Sequence, residues 1–442
     1  MNVIVAITDS LRVDHVGAYG NKWIKTPSFD KFAKESAVFD YAYTEGLPTL
    51  PTRTAMFTGR FTFPFRGWQR MEPDDVLLAE VLWDKGVTSA LITDCYHMHK
   101  ASMAYERGFD YVQFIRGQET DPYIVDIPDS EVQKELHNTY KPDAEGKDTR
   151  IKGSQTQYLK NTHHWKSDED HFVAQVVKAS LKWLEEQKKK DNLFLWMDCF
   201  DPHEPWDPCP PFNKMYTDPK YKGINLTQPI PGPTEGYLTP EELNHVFKNY
   251  AGEVSLVDKW IGIFYDGLKE MGFWDNSLII HTTDHGEPFG DHGIIRKAQP
   301  YPYEELVHIP WMVRMPGGVG VGKRFKQIIE TCDMMPTVLD AFGVKQPRRI
   351  HGESILPIIK GEKKKIRDYA YVGHYQASWR ISDYEWCYIK WLNDNVLNKC
   401  KDKPELYNIK KDPTERNNII DKHKDVAADL DKKLEEFVAK LK

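Results

Sequence analysis

The chain has no long hydrophobic run: none of its apolar stretches approaches the roughly 20 residues that a helical membrane span requires. A membrane is therefore not an expected partner. The start, Met1-Asn2-Val3-Ile4-Val5-Ala6-Ile7-Thr8-Asp9, lacks a basic leader and turns polar after a short apolar run. It reads as a buried strand and not as a signal peptide. Cysteine is scarce, with Cys95, Cys199, Cys209, Cys332, Cys387 and Cys400 scattered outside any CxxC spacing. Without a secretory signal these read as free thiols, and the expected location is cytoplasmic. Excess positive charge is missing too. A formal net charge of −7 argues against a nucleic-acid partner and leaves an anionic substrate dependent on a locally positive pocket. Internal repeats are absent.

What is present is an ordinary globular composition, 40% hydrophobic and 28% charged, over 442 residues, enough for two or three domains. Short apolar runs at Val3–Thr8, Ser89–Thr93, Leu193–Asp198 and Leu278–Thr283 alternate with amphipathic stretches at Pro27–Ser36, Val76–Lys85 and Phe172–Glu186. This alternation predicts an α/β fold: a large α/β/α sandwich around a mostly parallel sheet, spanning residues 1–347. Residues 117–168 are polar and read as an inserted segment of loops, a candidate lid. From residue 348 to 442 the pattern shifts to short aromatic-rich strands (Tyr369–Gly373, Ala377–Ser382, Glu385–Trp391) and a closing amphipathic helix, Lys424–Leu441, which reads as a smaller α+β domain.

Several strands end in polar clusters, and ligand sites in open α/β sheets lie beyond the carboxyl ends of strands. Asp9 ends the first strand; Asp284 and His285 end a late one. Two carboxylates, an imidazole and a hydroxyl suit a hard-to-borderline divalent cation, although an Asp after a strand also commonly caps a helix. Thr49 stands two residues before Pro51, which suits a first helical turn, and a hydroxyl at that mouth faces unpaired N–H groups that attract an anion. Metal contact would make this oxygen a competent nucleophile, with Arg53 one turn on folding back to it or to the anion. His203, in Asp201-Pro202-His203, is a candidate to hold or protonate a substrate oxygen. Lys297 is a candidate to neutralise a transferred group, with Arg296 solvated and His292 a structural hydrogen-bonder. Tyr96 and His97, with His99 behind them, are candidate substrate contacts. Trp206 and Tyr301 hint at a sugar or aryl group on the substrate.

The run Leu47-Pro48-Thr49-Leu50-Pro51-Thr52-Arg53 closing in Thr58-Gly59-Arg60, together with Thr8-Asp9-Ser10, Asp201-Pro202-His203, Asp284-His285-Gly286 and Gly290–Lys297, resembles the sulfatase branch of the alkaline phosphatase superfamily over nearly the whole chain. The resemblance implies an ester hydrolase with one divalent metal (Mn²⁺, Ca²⁺, Mg²⁺ or Zn²⁺). By position it makes Asp9, Thr49, Asp284 and His285 metal ligands, Thr49 the nucleophile, and Arg53, His203 and Lys297 its catalytic neighbours. The departures are specific. In that family a cysteine, converted to formylglycine, holds the place of Thr49. Ser10 replaces a second aspartate, and Thr93-Asp94-Cys95-Tyr96 replaces Gly-Lys-Trp-His. The Asp284-His285 pair looks like the phosphonate monoester hydrolase and phosphodiesterase branch.

A plain threonine ester cannot be released by collapse of a hydrated aldehyde, so the expected substrate is a small-molecule phosphodiester or phosphonate monoester. A sulfate ester is the alternative, and a non-catalytic anion-binding relic is the reading from another class. A homo-oligomer is compatible with the sequence.

Overall fold

The computed structural model describes residues 1–143, 146, 149–297, 300–392 and 401–441; Cys400 lies outside them. The main sheet has eight strands: β1 (Asn2–Thr8), β2 (Ala37–Tyr43), β3 (Thr88–Thr93), β4 (Tyr111–Phe114), β5 (Leu193–Cys199), β6 (Ser277–Thr282), β7 (His308–Arg314) and β8 (Arg324–Glu330). They lie in the order β8-β2-β7-β6-β1-β5-β3-β4. All neighbours pair in parallel except along β7, which runs antiparallel to both β6 and β2.

The central strands are apolar on both faces, as a sheet covered on both sides requires. Along β1, Ile4 and Ala6 join one core while Val3, Val5 and Ile7 join the other, because successive side chains point to opposite faces. The first core is closed by helices Pro27–Lys34, Phe172–Glu185 and Pro240–Glu270. The second is closed by Thr49–Thr58, Leu78–Trp83 and Met334–Ala341. Full burial of each such Val, Leu or Ile contributes about 1.5–3 kcal/mol before chain entropy is counted.

Residues 117–168 differ from the expected loops. They hold two helices, Asp129–Thr139 and Thr149–Thr162. Only Val132, Leu136 and Leu159 form the buried seam between them, too few apolar positions to stand out in a polar segment. Among the described residues no helix is long and apolar enough to cross a membrane.

The smaller sheet comprises β9 (Ala370–His374), β10 (Ser378–Ser382), β11 (Trp386–Trp391) and β12 (Glu405–Asn408), an antiparallel meander backed by the helix Lys424–Leu441. Its free edge pairs with Gly46–Leu47, next to the Thr49 segment. The C-terminal part therefore braces the mouth of the helix that carries Thr49.

Candidate active site

Strands β6, β1, β5 and β3 are parallel neighbours, so their carboxyl ends share one edge and the polar clusters that follow them converge there. Asp9, Asp284 and His285 offer ligand atoms within 4.8 Å of one another, and all three are buried. Gly286 is dictated by packing: a Cβ there would lie 2.1 Å from the Glu305 carbonyl oxygen. Ser10 follows Asp9 at φ 61°, a left-handed conformation tolerated where surrounding bonds fix it. Its N–H donates to Asp284 Oδ1 (3.1 Å) and its hydroxyl to Asp9 Oδ1 (2.7 Å). Ser10 thus locks two carboxylates in place where the family pattern has a second aspartate.

Thr49 is the first residue of its helix, with Pro48 before it, and its hydroxyl is not used as a cap. Oγ1 lies 3.2 Å from His285 Nε2. The other ring nitrogen of His285, Nδ1, faces the Gly286 carbonyl at 2.8 Å. A carbonyl only accepts, so Nδ1 carries the proton and Nε2 presents its lone pair to Thr49. Burial holds the imidazole neutral, its pKa lowered to about 4 despite the Asp284 charge.

Arg53 takes a different place from the expected one. It donates to the main-chain carbonyl of Thr49 (3.3 Å), not to the hydroxyl. Its guanidinium forms a two-pronged pair with Asp198 (3.0 and 2.6 Å) and reaches Asp284 Oδ2 (2.6 Å) and Asp9 Oδ2 (3.0 Å). Arginine and all three aspartates are fully buried. Three carboxylates in the interior demand compensation, and that demand turns Arg53 toward them. Asp198 escapes a spacing-based reading because nothing in the sequence announces its partner.

The same residues fit a divalent cation. Asp9 Oδ2 is buried and, although Arg53 lies 3.0 Å away, accepts no hydrogen bond of regular geometry. Burial, and then the Asp284 charge beside it, push the Asp9 carboxyl well above its usual range. Arg53, shared among three carboxylates, leaves Asp9 incompletely compensated, and the O,O,N donor set with the Thr49 hydroxyl alongside is one a hard or borderline ion accepts.

A cavity of about 450 Å³ opens over Thr49. His203 and Lys297 line it, as does His97; Tyr96 does not. Tyr96 instead meets the His99 ring edge-on at 5.3 Å. His203 is buried, stacks on Phe200 (centroids 3.9 Å apart) and points Nδ1 at the Glu204 carbonyl (2.8 Å), leaving Nε2 as its acceptor. Lys297 donates to Glu287 (2.8 Å) and Ser10 Oγ (3.2 Å). Burial opposes its charge, but Glu204 and Glu287 outweigh that and keep the ammonium protonated.

Other expectations change. Arg296 is buried, not solvated, and pairs with Glu204. His292 is the structural hydrogen-bonder expected, held by Glu305 (2.8 Å) and the Glu415 carbonyl (3.0 Å). Trp206 packs inside against Phe289, and Tyr301 packs against Trp391. The aromatic at the cavity is Trp68. Glu119 was not signalled by any motif: at φ 46° it turns into the cavity and pairs with His97 at 2.8 Å. Burial alone would raise its carboxyl; the His97 charge holds it down at about 2.

Comparison with known proteins bears on this geometry. The family profile described as Sulfatase matches residues 1–344, and that described as N-sulphoglucosamine sulphohydrolase, C-terminal, matches residues 290–440. The chain belongs to the sulfatase family and is an ester hydrolase of that family. An arylsulfatase of Clostridium perfringens is 26% identical over 95% of this chain and 90% of its own length. The crystal structure of a phosphonate monoester hydrolase of Agrobacterium radiobacter superimposes with a TM-score of 0.77 at 19% identity, covering 100% of this chain and 96% of the other. A protein solved with its substrate D-glucosamine-2-N,6-O-disulfate gives a TM-score of 0.75 at 21% identity, covering 100% and 98%.

Proposed function

We propose that the chain hydrolyses phosphodiesters or phosphonate monoesters of small molecules, with Thr49 as nucleophile. The observation that carries this is the buried, uncapped Thr49 hydroxyl 3.2 Å from the lone pair of a neutral His285, at the floor of a cavity. A single divalent cation at Asp9, Asp284, His285 and Thr49 would supply Lewis acidity toward the threonine and ester oxygens. His285 Nε2 accepts from the Thr49 hydroxyl and so orients Oγ1. That oxygen bonds to phosphorus as the bond to the departing oxygen breaks; the threonine proton passes to water in the cavity, and the departing oxygen takes up a proton from water there. Lys297 places a fixed positive charge where the phosphoryl oxygens gather, and His203, whose Nε2 presents a lone pair, accepts a hydrogen bond from the attacking water of the second step. Water then cleaves the phosphothreonine at phosphorus, since a secondary alcohol offers no internal route of release.

A sulfate ester is the second reading, favoured by the arylsulfatase likeness of the sequence. Kinetics with bis(4-nitrophenyl) phosphate, a 4-nitrophenyl phosphonate and 4-nitrophenyl sulfate decide between them. The phosphorus esters are expected to have the higher kcat/KM by at least about tenfold, some 1.4 kcal/mol of transition-state stabilisation. Faster sulfate turnover would replace the first reading with the second; inertness to all three would favour a binding protein.

Metal dependence has its own check. After treatment with EDTA, adding Mn²⁺, Mg²⁺, Ca²⁺ or Zn²⁺ at about a thousand times its Kd should stabilise the fold by about 4 kcal/mol, read as a raised Tm. A melt indifferent to all four ions removes the cation from the proposal. The cytoplasmic placement is likewise proposed, supported by the free thiols of Cys95, Cys199, Cys209, Cys332 and Cys387.

A further inference from the structure

The cavity over Thr49 has a charge left over. His97 is paired with Glu119, Arg296 with Glu204, and Lys297 with Glu287 and Glu204. Arg150, itself exposed, also lines the cavity and has no ion-pair or hydrogen-bond partner among the described residues. It sits in the first turn of helix Thr149–Thr162, on the inserted segment and not on the helix that carries Thr49. Across that wall a second group is incomplete. Gln228 lines the same cavity, is only 1% exposed, and its Oε1 has no hydrogen-bond partner, while its Nε2 reaches Ser154 Oγ at a long 3.4 Å. A buried amide oxygen left unpaired costs about 1–3 kcal/mol, and a guanidinium fork is matched to carboxylate, phosphate or sulfate oxygens.

We propose that Arg150, Ser154 and Gln228 form a subsite for a second anionic group, carried on the alcohol side of the ester. The substrate is then at least dianionic. One charge belongs to the ester at Thr49 and Lys297; the other lies against Arg150, on the wall that Ser154 and Gln228 complete. This rests on Thr49 marking the reacting end of the cavity, as the proposed function has it. It also gives the inserted segment a role in recognition, with Arg150 reading the substrate while the strand ends act on it.

Direct binding separates this subsite from the chemistry. Mn²⁺-loaded protein is titrated calorimetrically with a series of α,ω-alkyl diphosphonates of increasing chain length, and with the monophosphonate of each length. One diphosphonate length is expected to bind at least tenfold more tightly than its monophosphonate. Arg150→Ala and Arg150→Gln should abolish that preference while leaving monophosphonate affinity unchanged, and Arg150→Lys should retain part of it. Diphosphonates that bind no better than monophosphonates at every length would overturn the proposal, as would a preference that survives Arg150→Ala. Tight diphosphonate binding by a protein inert to every ester would sink the hydrolase reading and leave the subsite standing.

Discussion

Thr49→Ala is expected to lower kcat by at least about a thousandfold, because it removes the atom that must bond to phosphorus and no neighbouring hydroxyl can take its place. Ser10, whose hydroxyl lies beside the Asp9–Asp284 pair, spends it on Asp9 and lies in a fixed left-handed turn. The fold should survive, since Thr49 leaves capping to the backbone and its removal unpairs only His285 Nε2. Thr49→Ser should keep measurable turnover. Intact mass after brief mixing with an ester supplies a second readout: the wild-type chain should gain one phosphoryl group and Thr49→Ala none. Full activity in Thr49→Ala would remove this residue from the mechanism. Thr49→Cys tests the family relation from the other side. It restores the cysteine of the Cys-x-Pro-x-Arg pattern before Pro51 and Arg53. In a host that makes formylglycine, turnover is expected to move toward sulfate esters.

The architecture was legible in the chain wherever burial is two-sided. Asn2–Thr8, Leu193–Cys199 and Ser277–Thr282 are built on apolar runs and lead into Asp9, Asp198 and Thr283-Asp284, so strand, direction and site edge come from one pattern. The helix Pro240–Glu270 is less visible. Its capping box, Thr239 with Glu242, marks the start, but Glu253 and Asp258 interrupt the apolar face because they are buried in it. Strand β7 hides similarly, as five apolar residues, one of them a proline, between His308 and Arg314. At the site, residues fixed by backbone spacing were recoverable: Thr49, Asp284 and His285 sit where the motifs put them. Residues fixed by tertiary closure were not. Glu119, Arg150 and Gln228 reach the cavity from separate segments, and Arg53 chose its partners by charge balance rather than by its distance from Thr49 along the helix.

That charge balance sets the second large effect. Arg53→Met replaces a fully buried guanidinium with an apolar chain and leaves Asp9, Asp198 and Asp284 facing one another in the interior. Asp198 keeps only the Trp196 indole donor at 3.1 Å. Removing one partner from a buried ionic network costs about 3–5 kcal/mol, against less than about 1 kcal/mol for an exposed pair. The metal-free variant is therefore expected to lose about 3–5 kcal/mol in denaturant titration. Arg53→Lys should lose less, keeping the charge but not the two-pronged bond to Asp198. A divalent cation should recover part of the loss, because it compensates Asp9 and Asp284 while Asp198 stays bare. That partial recovery is the informative result. Complete rescue would mean that Asp198 also needs only the ion, and no rescue would mean that the Asp9–Asp284 pair does not hold one. A loss below about 1 kcal/mol would show the three carboxylates to be solvated, and with them the dry, charge-focused floor on which a threonine hydroxyl becomes a nucleophile.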